Sequence, residues 1–246
     1  MTSRETTHPL ARPDLYDALP RPLRERLEVV AFGAIQWPWL LRSLSGGRKA
    51  DKAALLQRLD LPDDALPHLG SWKADTRFLT HIVDAIERLR PATVVELGCG
   101  ASSLVIAKAL SLYGGGRLIS YDQHEFFTAA TADWLASQGV AADLRHAPLG
   151  PPPGDWPGLW YQLADLPTDI GLLVIDGPPW ALHPLVRGAA ESLFPRLASG
   201  AMILLDDAAR PGERLVARRW QKRWPQIEFT YDRSGAKGTL IGRVAD

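Results

Sequence analysis

The spacing of apolar residues changes character near residue 75. Before it, Leu23–Leu44 and Lys52–Leu59 read as two short helices separated by Ser45-Gly46-Gly47. The first 25 residues are polar and punctuated by Pro9, Pro13, Pro20 and Pro22, a pattern that predicts a loose arm. Pro62, Pro67 and Gly70 mark a linker, so residues 1–70 are expected to form an arm and helical cap ahead of a domain over 71–246. From Asp75 onward the chain alternates between helix-period and strand-period segments. Asp75 is placed to cap a helix over Thr76–Leu89, whose Phe78, Leu79, Ile82, Val83, Ile86 and Leu89 share one face; Pro91 ends it. Thr93–Leu97 is a continuous β-prone run, as expected of a strand covered on both faces.

The alternation continues. A helix is predicted over Ser102–Tyr113, a strand over Arg117–Tyr121, a helix over Glu125–Gln138 and a strand over Ala142–His146. Gly150–Pro167 breaks the rhythm with prolines, Trp156, Trp160 and Tyr161, and reads as a long loop or short helix lying over the sheet. The pattern then resumes with strand Gly171–Ile175, helix Leu182–Leu197, strand Ala201–Leu205 and helix Gly212–Trp224. Ile227–Tyr231 and Thr239–Val244 leave no room for a helix between them, so they form an antiparallel hairpin. Repeated βα units with right-handed crossovers make an open, mostly parallel α/β sheet.

Composition narrows the function. Among 246 residues, 28 basic side chains balance 28 acidic ones, which excludes a nucleic-acid binder driven by charge and a polybasic membrane-surface protein. The single cysteine, Cys99, excludes a disulfide framework and a multi-cysteine zinc site; it reads as a small packing residue. No apolar run approaches the ~20 residues of a membrane span, and no secretory pattern opens the chain. The expected location is the cytoplasm.

In an open α/β sheet, ligands gather beyond the carboxyl ends of the strands. Those ends read Glu96-Leu-Gly98-Cys99-Gly100-Ala-Ser102-Ser103, Asp122-Gln123-His124, Ala147-Pro148, Asp176-Gly177-Pro178-Pro179 and Asp206-Asp207. Four of the five carry a carboxylate, which suits a polyol, a cation or both. Gly98 and Gly100 permit a tight turn and close backbone approach, and Ser102 or Ser103 is placed to cap the next helix. A nicotinamide-dependent oxidoreductase would need a third glycine where Ser103 stands. Glu96 also repels a pyrophosphate and instead suits an ammonium or sulfonium group. Asp122 is placed to accept two ribose hydroxyls.

VVELGCGASS followed by ISYDQH resembles the first two motifs of class I S-adenosylmethionine-dependent methyltransferases, and the likeness runs from Trp72 to Val244. LLVIDGPPW and AMILLDDAARPGE resemble a bacterial small-molecule O-methyltransferase branch with an acidic metal triad. The resemblance implies a Rossmann-like seven-stranded sheet with a C-terminal antiparallel hairpin. It also implies cofactor contacts from Glu96, Gly98, Gly100, Ser102, Ser103, Asp122, Gln123, His124, Ala147, Pro148 and Asp176. Relatives often have a polar residue where Ala147-Pro148 stands.

Asp176, Asp206 and Asp207 would be the ligands of a Mg²⁺ ion in such relatives, although Pro178 replaces the further acid they often carry. His183 is the expected general base beside Asp176, with His124 the runner-up. Tyr161, Trp160 and Trp180 are candidates for lining the acceptor pocket. Arg210, Arg214, Arg218 and Arg219 read as a solvated basic helix face. The N-terminal helices are candidates for a homodimer contact. The expected activity is methylation of a small molecule at a hydroxyl oxygen; the alternative is a non-catalytic S-adenosylmethionine-binding scaffold or regulatory module. Nucleic acid is not an expected acceptor, because no basic appended domain is present.

Overall fold

Thr93–Leu97 (β1) is buried at every position and is an interior strand of the sheet in the computed structural model, which describes residues 22–66 and 68–245. Most of the expected N-terminal arm lies outside the described residues. Leu23–Ser43 (α1), Lys49–Arg58 (α2) and Thr76–Leu89 (α3) precede β1. Ala101–Tyr113 (α4), Arg117–Asp122 (β2), Glu125–Ser137 (α5) and Asp143–His146 (β3) follow it. Beyond these lie the short pair Leu149–Gly150 (β4) and Trp160–Tyr161 (β5), then Ile170–Ile175 (β6). Leu197–Leu205 (β7), Pro211–Arg223 (α6), Ile227–Asp232 (β8) and Thr239–Val244 (β9) complete the chain.

The seven-stranded sheet has the order β3-β2-β1-β6-β7-β9-β8. β1 is parallel to β2 and β6, β2 to β3, and β6 to β7; β9 runs antiparallel to both β7 and β8. The expected architecture is therefore the observed one. From β1 the chain builds outward through β2 and β3, then returns to the other side of β1 with β6 and β7. The crevice at this reversal is where an open α/β sheet binds ligands.

Alternating side chains feed two cores. Val94, Leu172, Val174, Met202 and Leu204 pack beneath α2–α5, while Val95, Leu97, Leu173, Ile175, Ile203 and Leu205 pack against α6 and the segments around Trp156 and Phe194. Gly150–Pro167 is a loop, one of the two forms expected, tied by the antiparallel β4–β5 pair with Trp160 and Tyr161 buried. One segment departs from the expected pattern. The helix expected over Leu182–Leu197 is a 3₁₀ segment over Val186–Arg196. It carries Pro195, which lacks a backbone donor, and Gly188, where a Cβ would fall 2.1 Å from the Trp156 ring.

Asp75 joins two distant parts of the chain. One oxygen accepts from Phe78 N at 2.8 Å, capping α3 as expected; the other accepts from Ala236 N at 2.8 Å and Lys237 N at 3.2 Å in the β8–β9 connection. Asp75→Ala is expected to remove about 2–4 kcal/mol of stability, the loss of a cap plus two stranded buried donors, as measured by urea denaturation.

Candidate active site

The turn after β1 is built from glycines with positive φ. Gly98 (φ 95°) lies so close to the β6 end that a Cβ would fall 2.9 Å from Gly177 N. At Gly100 (φ 152°) a Cβ would meet only the Phe127 ring, at 3.9 Å, so this side of the turn is open to a ligand. Gly100 N donates to Ser103 Oγ at 2.9 Å at the start of α4, and Ser102 is buried beside it.

Glu96 is fully buried beneath this turn. Its Oε2 accepts from the hydroxyls of Ser103 and Ser120, each at 2.6 Å, while Oε1 has no partner. Ser120 was not among the expected residues, yet the parallel register places it directly opposite Glu96. Burial raises the Glu96 carboxyl to about 7. Asp122, at the end of β2, is also buried and raised to about 7 by burial. It accepts from His124 N at 2.8 Å and Cys99 N at 3.3 Å, so it ties the first two strand-end turns together. The Gln123 Oε1 is buried without a partner, and burial lowers the His124 imidazole. Ala147 is buried with its N–H on the Asp122 carbonyl at 2.8 Å, whereas Pro148 is exposed.

Asp176, Asp206 and Asp207 converge, with one carboxylate oxygen from each lying within 4.8 Å of the others. Cations already fill the space between them. Arg187 contacts Asp207 at 3.1 Å and Asp176 at 3.3 Å; Arg210 contacts Asp207 at 2.9 Å; Lys237 reaches Asp206 at 3.3 Å and Asp207 at 3.5 Å. Arg187 also donates to the backbone oxygens of Asp176, Pro178 and Asp206. These cations push Asp207 below the usual carboxylate range, while burial raises Asp176 and Asp206. Asp206 keeps one oxygen without a partner. A divalent ion does not fit this donor set, because it would have to expel a buried ammonium and a guanidinium held by three backbone carbonyls.

Two expectations are corrected. His183 is fully buried; its Nδ1 accepts from Leu185 N at 3.1 Å and its Nε2 faces Glu28 of α1 at 3.0 Å, so it anchors α1 and offers no free lone pair as a base. Arg210 is not on a solvated face: it is buried between Asp207 and, at 3.8 Å, Glu213. Arg214 and Arg218 are exposed as expected, and Arg219 stacks on Trp156 at 4.2 Å. The buried Tyr161 hydroxyl has no partner and lies where a Cβ on Gly177 would be 2.1 Å away. Trp160 packs against Tyr161 with centroids 5.3 Å apart, and Trp180 lies against Gly33 of α1 with its indole N–H unpartnered.

The sheet order, the glycine turn and the acidic strand ends define the class I methyltransferase fold. Residues 95–208, the segment that holds these strand ends, match the family model described as a methyltransferase domain. A comparison with curated proteins finds no match in sequence. Among solved structures, the O-methyltransferase TomG from Streptomyces achromogenes, in complex with SAM, is similar at 17% identity and a TM-score of 0.50, over 80% of this chain and 89% of that one. The O-methyltransferase from Bacillus cereus, in complex with SAH, is similar at 14% identity and 0.53, over 88% and 99%. The SAH-bound Podospora anserina methyltransferase PaMTH1 is similar at 14% identity and 0.53, over 93% and 98%. At these identities the likeness establishes the fold.

The raised carboxyls fix a pH dependence. Between their ordinary values of 4.5 and 3.8 and about 7, folded Glu96 and Asp122 hold protons that the unfolded chain has released. Stability without ligand therefore falls as pH rises through that window. Glu213, raised to about 7 by burial, adds to the trend, whereas His124, held low by burial, opposes it below its ordinary 6.5. Asp207 and Asp232, both held low, are ionised in both states above about pH 5 and do not oppose it there. The thermal midpoint is expected to drop by several degrees from about pH 5 to about pH 8. Differential scanning calorimetry checks this, and Glu96→Gln is expected to flatten the slope.

Proposed function

We infer that the protein is a cytoplasmic S-adenosylmethionine-dependent methyltransferase acting at a hydroxyl oxygen of a small molecule. One observation carries the reading: the buried Glu96 carboxylate keeps Oε1 unpartnered beside the Gly98–Gly100 turn, whose Gly100 side is open. A buried acceptor without a partner costs about 1–3 kcal/mol, a cost that a ligand's ammonium group removes. These residues fit S-adenosylmethionine. Glu96 and the Gly98–Gly100 backbone would hold its methionine part, Ser102 and Ser103 would close the turn, and Asp122, Gln123 and His124 would take the ribose side. Ala147 and Pro148 would flank the adenine.

When bound, S-adenosylmethionine supplies an electrophilic methyl group on a sulfonium. The protein then has to hold the acceptor in line and take up a proton. Asp176 is suited to the second task. Its side chain is 12% exposed, more open than those of Asp206 and Asp207, and burial raises its carboxyl above the ordinary aspartate value. Arg187 holds it from behind. Tyr161 and Trp180, with unpartnered donors beside the same strand end, would orient the acceptor. The absence of a helix long and apolar enough to cross a membrane among the described residues agrees with a small-molecule acceptor met in solution.

Calorimetric titration with S-adenosylmethionine and its demethylated product is expected to give saturable binding that Glu96→Gln weakens at least tenfold. Affinity is expected to fall as pH drops below about 7, because Glu96 then holds a proton. With a panel of catechols and phenols as acceptors, Asp176→Asn should retain cofactor binding and lose about 10²–10⁴ in turnover. Binding with no transfer to any acceptor would favour the scaffold reading. Mg²⁺ is expected to give no binding heat and EDTA no loss of activity; a loss that Mg²⁺ restores would reinstate the metal.

A further inference from the structure

The run Val29–Leu41 of α1 carries a single polar side chain, Gln36. On a helix laid over a protein surface such a residue belongs on the solvent side. The opposite holds here. Gln36 is fully buried, while Val30, Ile35, Trp37 and Leu41 around it are exposed. Both of its amide atoms, Oε1 and Nε2, are buried without a hydrogen-bond partner. A buried position with no polar neighbour is filled more stably by leucine or methionine. An amide kept there with donor and acceptor both unused is matched to a group that the chain itself does not supply.

The contacts of α1 show what lies beneath Gln36. Toward the N-terminus of the helix, Glu28 meets His183 Nε2 at 3.0 Å and Gly33 lies against the Trp180 ring, both in the turn after β6. At the other end, the Ser43 carbonyl accepts from Ser71 N at 2.6 Å. Just beyond, the Gly46 carbonyl accepts from Thr76 N at 3.0 Å and Thr76 Oγ1 at 2.7 Å. Thr76 opens α3 beside Asp75, which holds the connection that carries Lys237 to Asp206 at the end of β7. α1 is therefore a roof over the ends of β6 and β7, the half of the crevice away from the β1 and β2 turns. Gly33 and Gln36 are three residues apart and share one face of the helix. The Gln36 amide thus descends one turn along from the Trp180 ring, on the side that Asp176 borders.

The chemistry of this roof is neutral. The Trp180 indole N–H and the Tyr161 hydroxyl are also buried without partners, and the nearby cations Arg187, Arg210 and Lys237 are each engaged by the aspartates. A carboxamide or lactam fits Gln36 at two points: its carbonyl accepts from Nε2 and its N–H donates to Oε1. A carboxylate has no hydrogen for Oε1, and an ammonium group has no lone pair for Nε2. We propose that Gln36 selects the methyl acceptor, pairing through both amide atoms with a carboxamide or lactam group of a neutral hydroxylated aromatic compound. The assignment rests on the methyltransferase reading above and narrows its substrate class.

Calorimetric titration of the full chain loaded with S-adenosylhomocysteine tests it, with salicylamide, salicylate and phenol as probes. Salicylamide is expected to bind at least about tenfold more tightly than either of the others. Gln36→Met keeps the length of the side chain and removes both hydrogen-bonding groups, and it is expected to cancel that margin. The same variant is expected to raise the thermal midpoint by a few degrees, because an unpartnered buried amide is gone. An amide that served only the fold would give a lower midpoint on removal. With S-adenosylhomocysteine bound, no preference for salicylamide over phenol would overturn this proposal and leave the methyltransferase reading in place. So would a preference that survives Gln36→Met, or a midpoint that falls. Failure to bind either S-adenosylmethionine or S-adenosylhomocysteine would overturn both.

Discussion

Three aspartates at the ends of two adjacent parallel strands are buried together, and burying like charges at this range is unfavourable unless cations come with them. Arg187, Arg210 and Lys237 provide that compensation from three separate parts of the chain: the 3₁₀ segment, the turn before α6 and the β8–β9 connection. The arrangement of the site's acceptor side follows from this. Arg187 binds the backbone of Asp176, Pro178 and Asp206, so it fixes the course of the chain after β6 and β7 as well as their charges. Lys237 is 1% exposed, and its ammonium is held inside the protein only because the aspartates are there. Removing either side would leave the other buried and uncompensated.

The opposite half of the crevice has the contrary character. Glu96 is anchored by two hydroxyls at one oxygen and left without a partner at the other, and Gln123 also keeps a buried atom without a partner. The four acids of the cluster, Asp176, Asp206, Asp207 and Glu213, are met by three interlocking cations, whereas the groups that act on Glu96 are hydroxyls and another acid. The ion-paired cluster holds the strand ends in place. The carboxylate without a cation is where a cationic ligand gains most.

The fold was legible because burial in a parallel sheet imposes long runs such as Thr93–Leu97, and because Asp75, Pro91 and the glycines punctuate the helices and strands. The glycine turn with Glu96 was legible for the same reason: motif and chemistry are contiguous in sequence. Contacts across the sheet were not. Ser120 reaches Glu96 through strand register, and Lys237 reaches Asp206 from 31 residues away through a hairpin loop. The spacing Asp207, Arg210, Glu213 carried a signal for an internal ion-pair ladder, which a reading of the arginines as one solvated face passed over. The metal expectation arose from the acids alone, because the sequence does not display the cations that face them. His183 misled for a related reason: its partner, Glu28, lies 155 residues away on a helix whose docking no local pattern specifies.

Asp75 shows how tightly the two ends of the domain are bound together. The same carboxylate starts α3 and grips the loop that delivers Lys237. The core of the fold therefore cannot be completed by an emerging polypeptide until its last hairpin has been made. During synthesis β1, β2, β3, β6 and β7 are made before Lys237, the cation that contacts Asp206, so this acid waits for its partner until the β8–β9 connection arrives.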